Sequence, residues 1–79
     1  MRIDLHGLHI QSGWRHFNQQ VEEAYLRGHK KCHVITGQGA MMQEIAVWAY
    51  NHPRVRECTQ TPHNPGSFSI KLKKRAYRG

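Results

Sequence analysis

Apolar residues recur along this chain in two rhythms. Ile3 and Leu5 alternate with Asp4 and His6, a period of two that predicts a short strand over Arg2–His6. Trp14, Phe17, Val21, Ala24 and Tyr25 then follow at steps of three and four. That spacing puts them on one stripe of a helix, which Ser12 is placed to cap and Gly28 to end, so that it runs to Arg27. Residues Cys32 to Thr36 are apolar or small on both faces, as a central strand would be. Met42, Ile45, Ala46 and Ala49, with Trp48 flanking, predict a second helix over Met41–Asn51, which Pro53 stops. Val55–Thr59 reads as a third strand and Thr61–Gly66, with two prolines and a glycine, as a loop. Phe68, Ile70 and Leu72 alternate with Ser69, Lys71 and Lys73 in a fourth, half-exposed strand.

The predicted order is strand, helix, strand, helix, strand, strand. Its first three elements form a crossover unit between parallel strands. The fold class is therefore α/β, with the elements in the order β-α-β-α-β-β. Parallel neighbours end at the same edge of a sheet, so His6-Gly7 and Thr36-Gly37-Gln38-Gly39 should emerge together. Ligands of open α/β sheets bind at that edge.

Composition adds a partner class. The 79 residues make one domain and carry a formal net charge of +7. So small and basic a domain is suited to a polyanion, and nucleic acid is the first candidate. No apolar run approaches a membrane span and no hydrophobic secretion segment opens the sequence, so no membrane partner is expected. Cys32 and Cys58 lie in apolar strand contexts without a CxxC pair, which predicts free thiols in a reducing cytoplasm. Basic residues gather at the end of the chain: Lys71, Lys73, Lys74, Arg75 and Arg78, joined by Arg54 and Arg56 if the last two strands pair. From about residue 73 this becomes a basic tail. The surplus charge favours phosphate contact there over a merely solvated face.

The two glycine turns are the candidate chemistry. Gly37 and Gly39 would let the backbone approach a phosphate at the start of the second helix, with Thr36 and Gln38 adding side-chain donors. Asp4 and His6 share one face of their strand, about 6.6 Å apart. His6 is suited to acid–base work near neutral pH, and Asp4 to orienting an imidazole or holding a metal. A plainer alternative makes Asp4 a turn cap and His6 a hydrogen-bonding strand end. His9 and His63 could join the same edge, but Asp4, His6 and His9 lack a recognised metal-ligand spacing, so no metal is expected. His16, His29, His33 and His52 read as surface or structural residues. Trp14, Trp48, Phe17, Tyr25 and Tyr50 read as core, with Tyr50 or Tyr77 as the aromatics that could stack on a base.

Taken in order, Asp4-Leu5-His6-Gly7, Thr36-Gly37-Gln38-Gly39, Trp48, His52-Pro53-Arg54-Val55 and the closing Phe68–Lys73 strand resemble the small MutS-related (Smr) domain family. The resemblance covers nearly the whole chain. It implies a two-layer β-α-β-α-β-β sandwich, a mixed four-stranded sheet with two helices, similar to the C-terminal domain of a bacterial translation initiation factor, and it implies nucleic-acid binding. It further implies DNA-nicking or RNA-cleaving endonuclease activity, in some members on mRNA at stalled ribosomes. By this resemblance Asp4 and His6 are implicated in cleavage, and Gly37 and Gly39 in substrate binding. Two segments depart from the family pattern. Ala40-Met41-Met42 replaces the His or Lys followed by Ser after the glycine turn. His63-Asn64-Pro65-Gly66-Ser67 keeps one glycine of a richer segment before the last strand.

The leading expectation is a monomeric endoribonuclease without a cofactor. His6 would move the proton, Asp4 would orient it, and Gly7, Thr36, Gly37, Gln38, Gly39, Lys71, Lys73, Lys74 and Arg75 would contact phosphate. One alternative is a DNA-nicking enzyme with a divalent metal such as Mg at Asp4 and His6. Another is a binding module without chemistry.

Overall fold

The computed structural model describes residues 1–74. Six elements follow one another: β1 (Arg2–Asp4), α1 (Ile10–Leu26), β2 (Lys31–Ile35), α2 (Ala40–Asn51), β3 (Val55–Thr61) and β4 (Asn64–Leu72). The strands form one sheet in the order β1-β2-β4-β3. β1 runs parallel to β2, with Ile3 opposite Val34. β4 runs antiparallel to both neighbours, and Ile70 faces Cys32 on one side and Cys58 on the other. The elements follow in the order that the hydrophobic rhythm predicts, and they form the mixed α/β sandwich that the family resemblance implies.

Both helices cover one face of the sheet. Ile3, Leu5, Cys32, Val34, Phe68, Ile70 and Leu72 meet Phe17, Val21 and Ala24 of α1 and Met41, Ile45, Trp48 and Ala49 of α2. Phe17 is fully buried, with the Trp48 ring 6.0 Å away and the His52 ring edge-on at 6.2 Å. The other face is open. Arg2, Asp4, Lys31, His33 and Lys71 all lie exposed on it. β2 is thus central in the sheet but covered on one side only; it starts one residue earlier than expected, at Lys31, and His33 stands exposed on a face expected to be apolar or small. A two-layer fold has no second helical layer to bury that face.

Several element boundaries and faces differ from expectation. α1 starts after His9, not at Ser12, because the Gly13 amide already closes the first turn on the His9 carbonyl at 2.7 Å. Its stripe is also rotated. Gly13 faces α2 so closely that a Cβ there would lie 2.7 Å from the Met41 sulfur, while Trp14 is 49% exposed. In α2, Met41 and Trp48 face inward, Ala46 is exposed, and Tyr50 stands out in solvent. β1 ends at Asp4, although Leu5 remains buried and bonded to the Ile35 carbonyl at 2.7 Å. Thr61 pairs with Asn64, so the expected loop shrinks to the hairpin turn Pro62-His63. Pro65 is accommodated in β4 because β2 pairs only from Ser67 onward and demands no amide from it.

Cys32 and Cys58 are free thiols on strands separated by β4. Two interstrand spacings, about 9.6 Å, exceed the reach of a disulfide. Burial pushes both thiols above their ordinary pKa. Among the described residues no helix is long and apolar enough to cross a membrane.

Candidate functional site

Parallel pairing brings the ends of β1 and β2 to one edge of the sheet, and each strand leaves it through a glycine turn. In the first, Leu5 is anchored in the core and the Leu8 amide returns to the Leu5 carbonyl at 3.1 Å. Gly7, at φ +85°, occupies the left-handed position such a turn requires. The Asp4 carboxylate accepts the His6 amide at 3.0 Å. Asp4 therefore holds the turn through the backbone of His6. His6 is left exposed at the turn's outer corner.

The second turn is clamped from β4. The Gly66 carbonyl accepts the amides of Thr36 at 2.7 Å and Gly37 at 3.1 Å. The buried Thr36 hydroxyl donates to the carbonyls of Gly37 and Gly66, at 2.8 and 3.2 Å. Thr36 thus serves the turn, and its hydroxyl is not aimed at a ligand as its place in the motif implied. The Gly37 amide is likewise occupied. Gly37 adopts φ +75°, and a Cβ on it would lie 2.8 Å from Cδ2 of the His6 ring. The two turns meet at that contact.

Between them lies an open pocket of about 390 Å³, lined by residues 6–10 from the first turn and the start of α1, and by residues 36–41 from the second turn and the start of α2. Both helix N-termini open on this pocket. Neither has a side-chain cap or an acidic residue in its first turn. Uncapped amides and two positive dipole ends directed at one cavity favour negative charge there. Gly39 is extended, and a Cβ on it would meet nothing, so the space beside it is open to a ligand.

Residue order alone missed two contributors. Expecting Ser12 to cap α1 hid the helix start at His9-Ile10. Gly66, visible only as the one glycine retained before the last strand, is the clamp: a Cβ there would lie 2.7 Å from the Gly37 carbonyl carbon. His63 sits exposed at the hairpin tip and does not line the pocket. Among the described residues no three His, Cys, Asp or Glu side chains form a metal-binding group. Asp4 and His6 offer two donors, one already bonded to an amide.

The basic end is not part of this pocket. β4 is antiparallel to β2, so Lys71 pairs with Lys31 at the far end of the sheet, and Lys73 and Lys74 follow it there. Lys71 also pairs with Glu57 at 3.3 Å. Arg75, Tyr77 and Arg78 lie outside the described residues. Lys73 is no loose tail, since its amide bonds the Arg54 carbonyl at 2.9 Å. Arg54 is committed to structure: its Nε meets both oxygens of Glu22 at 3.2 Å, and its guanidinium lies 4.3 Å over the Tyr25 ring. The Glu22 hydrogen bond pushes its pKa further up. His52 is structural too, its Nδ1 accepting the Arg54 amide at 3.1 Å.

A family model described as the Smr domain matches residues 3–72. Among solved structures, the Smr domain of Thermus thermophilus MutS2 is similar with a TM-score of 0.85 and 23% identity, covering 91% of this chain and 96% of that one. YdaL, a stand-alone small MutS-related protein from Escherichia coli, is similar with a TM-score of 0.78 and 19% identity. That likeness covers 92% of this chain and 64% of YdaL. No curated protein matches the chain.

Proposed function

The chain belongs to the Smr domain family of nucleic-acid-binding, nuclease-related modules, and from that premise we propose that it is an endonuclease that cleaves RNA. The observation that carries the reading is the contact of the His6 ring with Gly37, inside a pocket shared by two uncapped helix starts. A phosphate drawn to the helix amides lies beside the one group of the first turn that moves protons near neutral pH. The 2′-hydroxyl of the preceding nucleotide attacks the phosphorus and gives its proton to the His6 imidazole. The bond to the 5′-oxygen breaks, that oxygen takes a proton from solvent, and a 2′,3′-cyclic phosphate remains. The helix amides stabilise the charge that builds on the phosphoryl oxygens. Gly37 cannot contribute its amide, which Gly66 holds. That task falls to Gln38, Gly39 and the first turns of α1 and α2. Asp4 acts through the backbone as a positioning residue.

His6→Ala tests the assignment. Cleavage of a single-stranded RNA should fall by at least about a hundredfold, the usual worth of a general base, while affinity stays within about twofold. One 2′-deoxy nucleotide at the cut should block the reaction, and chelator should not. A His6→Ala protein cutting at the original rate removes the assignment. A deoxy-substituted strand cut equally well, with loss of activity in chelator, supports a metal-assisted DNA nickase instead.

A further inference from the structure

The second cavity of interest lies at the opposite end of the sheet. It measures about 410 Å³ and is lined by six cations, Lys30, Lys31, Arg56, Lys71, Lys73 and Lys74, with no carboxylate among its lining residues. These cations come from three places in the chain. Gly28, at φ +82°, ends α1 and sends Lys30 and Lys31 into the start of β2. Arg56 comes from β3, and the other three from the end of β4 and just beyond. Of the six, only Lys71 pairs with a carboxylate among the described residues. Like charges gathered around one cavity repel and work against the fold, and a bound polyanion relieves them.

We infer that this cavity is a second phosphate site and that the substrate is a single strand lying along the open face of the sheet between it and the His6 pocket. The inference rests on the nucleic-acid reading above but not on cleavage. Lys31 lines one cavity and Thr36 the other, five strand steps or about 16 Å apart. Midway, Arg2 of β1 and His33 of β2 lie side by side on the exposed face. Lys31, His33, Arg2 and His6 thus follow one another along β1 and β2, with the Asp4 carboxylate between Arg2 and His6 and the His33 ring in a hydrogen bond with the Ser67 hydroxyl at 2.8 Å. One such row suits one backbone. No Phe, Tyr or Trp ring of β1 to β4 lies on that face, since Phe68 points into the core. Binding along it is therefore read from phosphates and is indifferent to base identity. A substrate contacting both ends must be long enough to span them.

The test measures binding of non-cleavable 2′-O-methyl RNA strands, about four and about ten nucleotides long, across a salt series. The variant carries Lys30→Gln, Lys31→Gln, Lys73→Gln and Lys74→Gln together. It should bind the longer strand at least tenfold more weakly, with a salt slope smaller by about three, because about 0.7 counterion is released per single-strand phosphate contact. The shorter strand reaches only one site at a time and keeps the His6 pocket in the variant, so its affinity should fall by less than about threefold. The variant should also melt higher at low salt. Arg54→Gln, which removes a charge committed to Glu22, should leave the affinity for both strands unchanged. Unchanged affinity and slope for the longer strand overturn the second site. Equal losses for both strands overturn the separation of the two sites. A duplex of the same length bound more tightly than the strand overturns the single-strand path. A His6→Ala protein that still cleaves, yet shows the predicted length dependence, removes the catalytic reading and leaves this one standing.

Discussion

The amide of His6 donates to the carboxylate of Asp4 at 3.0 Å, and no hydrogen bond joins that carboxylate to the His6 ring. The acid and the histidine of the first motif are coupled through the main chain. This separates two roles that a single substitution would confuse. Asp4→Asn keeps an oxygen acceptor in place and removes the charge. Asp4→Ala removes both. Asparagine should therefore retain most of the cleavage rate. Alanine should cost about 1 kcal/mol of stability, the usual worth of one such bond, and lower the rate by at least about tenfold as the turn loosens. Rates and urea midpoints for the pair decide the matter. Equal losses in both variants would place the charge itself in the reaction.

The glycines of the second turn should behave differently from one another. Gly39→Ala meets no neighbour and needs no unusual backbone, so it should fold as before. It should still weaken oligonucleotide binding, because the methyl group occupies space open to the ligand. Gly37→Ala should cost about 1–2 kcal/mol for its left-handed backbone and displace the His6 ring as well. Gly66→Ala presses on backbone that cannot yield and should cost about 1–3 kcal/mol. Melting curves beside binding isotherms distinguish the three. A Gly39→Ala protein with unaltered affinity would show that the ligand does not approach there.

Arg54 and Arg56 are two residues apart and should report on different properties. Arg54→Ala releases Glu22 and uncovers Tyr25, so it should lower the melting temperature by a few degrees and leave RNA affinity alone. Arg56→Ala should do the reverse, since Arg56 lines the basic cavity. Matched shifts in both properties for either variant would contradict this division.

The thiols give a pH dependence with a definite sign. Burial raises the pKa of Cys32 and Cys58 in the folded state, so the unfolded chain releases these protons first. Their contribution is intact below the ordinary thiol pKa. Stability should then fall as the pH rises through and beyond it. Denaturation midpoints should drop between neutral pH and about pH 9.5, and less steeply in a Cys32→Ala/Cys58→Ala double variant. Identical slopes would exclude the thiols as the cause.

Much of this protein was legible in the order of its residues. The alternation of Ile3 and Leu5 and of Phe68, Ile70 and Leu72, and the helical spacing of Phe17, Val21 and Ala24, are local patterns with one periodic solution each. They determine the strands and the helices and the order in which these follow. Parallel pairing of the first two strands then obliges the two glycine turns to share an edge. What neighbours along the chain cannot specify, the tertiary structure decided. Trp14 and Gly13 compete for one inward position, and only the closeness of α2, with Met41 pressed on Gly13, gives it to the smaller residue. Thr36 reads as a ligand donor until the fold turns its hydroxyl toward the carbonyls of Gly37 and of Gly66, 30 residues away. The basic end reads as phosphate-contacting without a stated position, and only the antiparallel register of β4 carries Lys71 to Lys31, at the end of the sheet opposite the glycine turns. Periodicity is a property of consecutive residues, whereas strand direction and register depend on contacts between distant ones. Those contacts set which charges and carbonyls finally face a ligand.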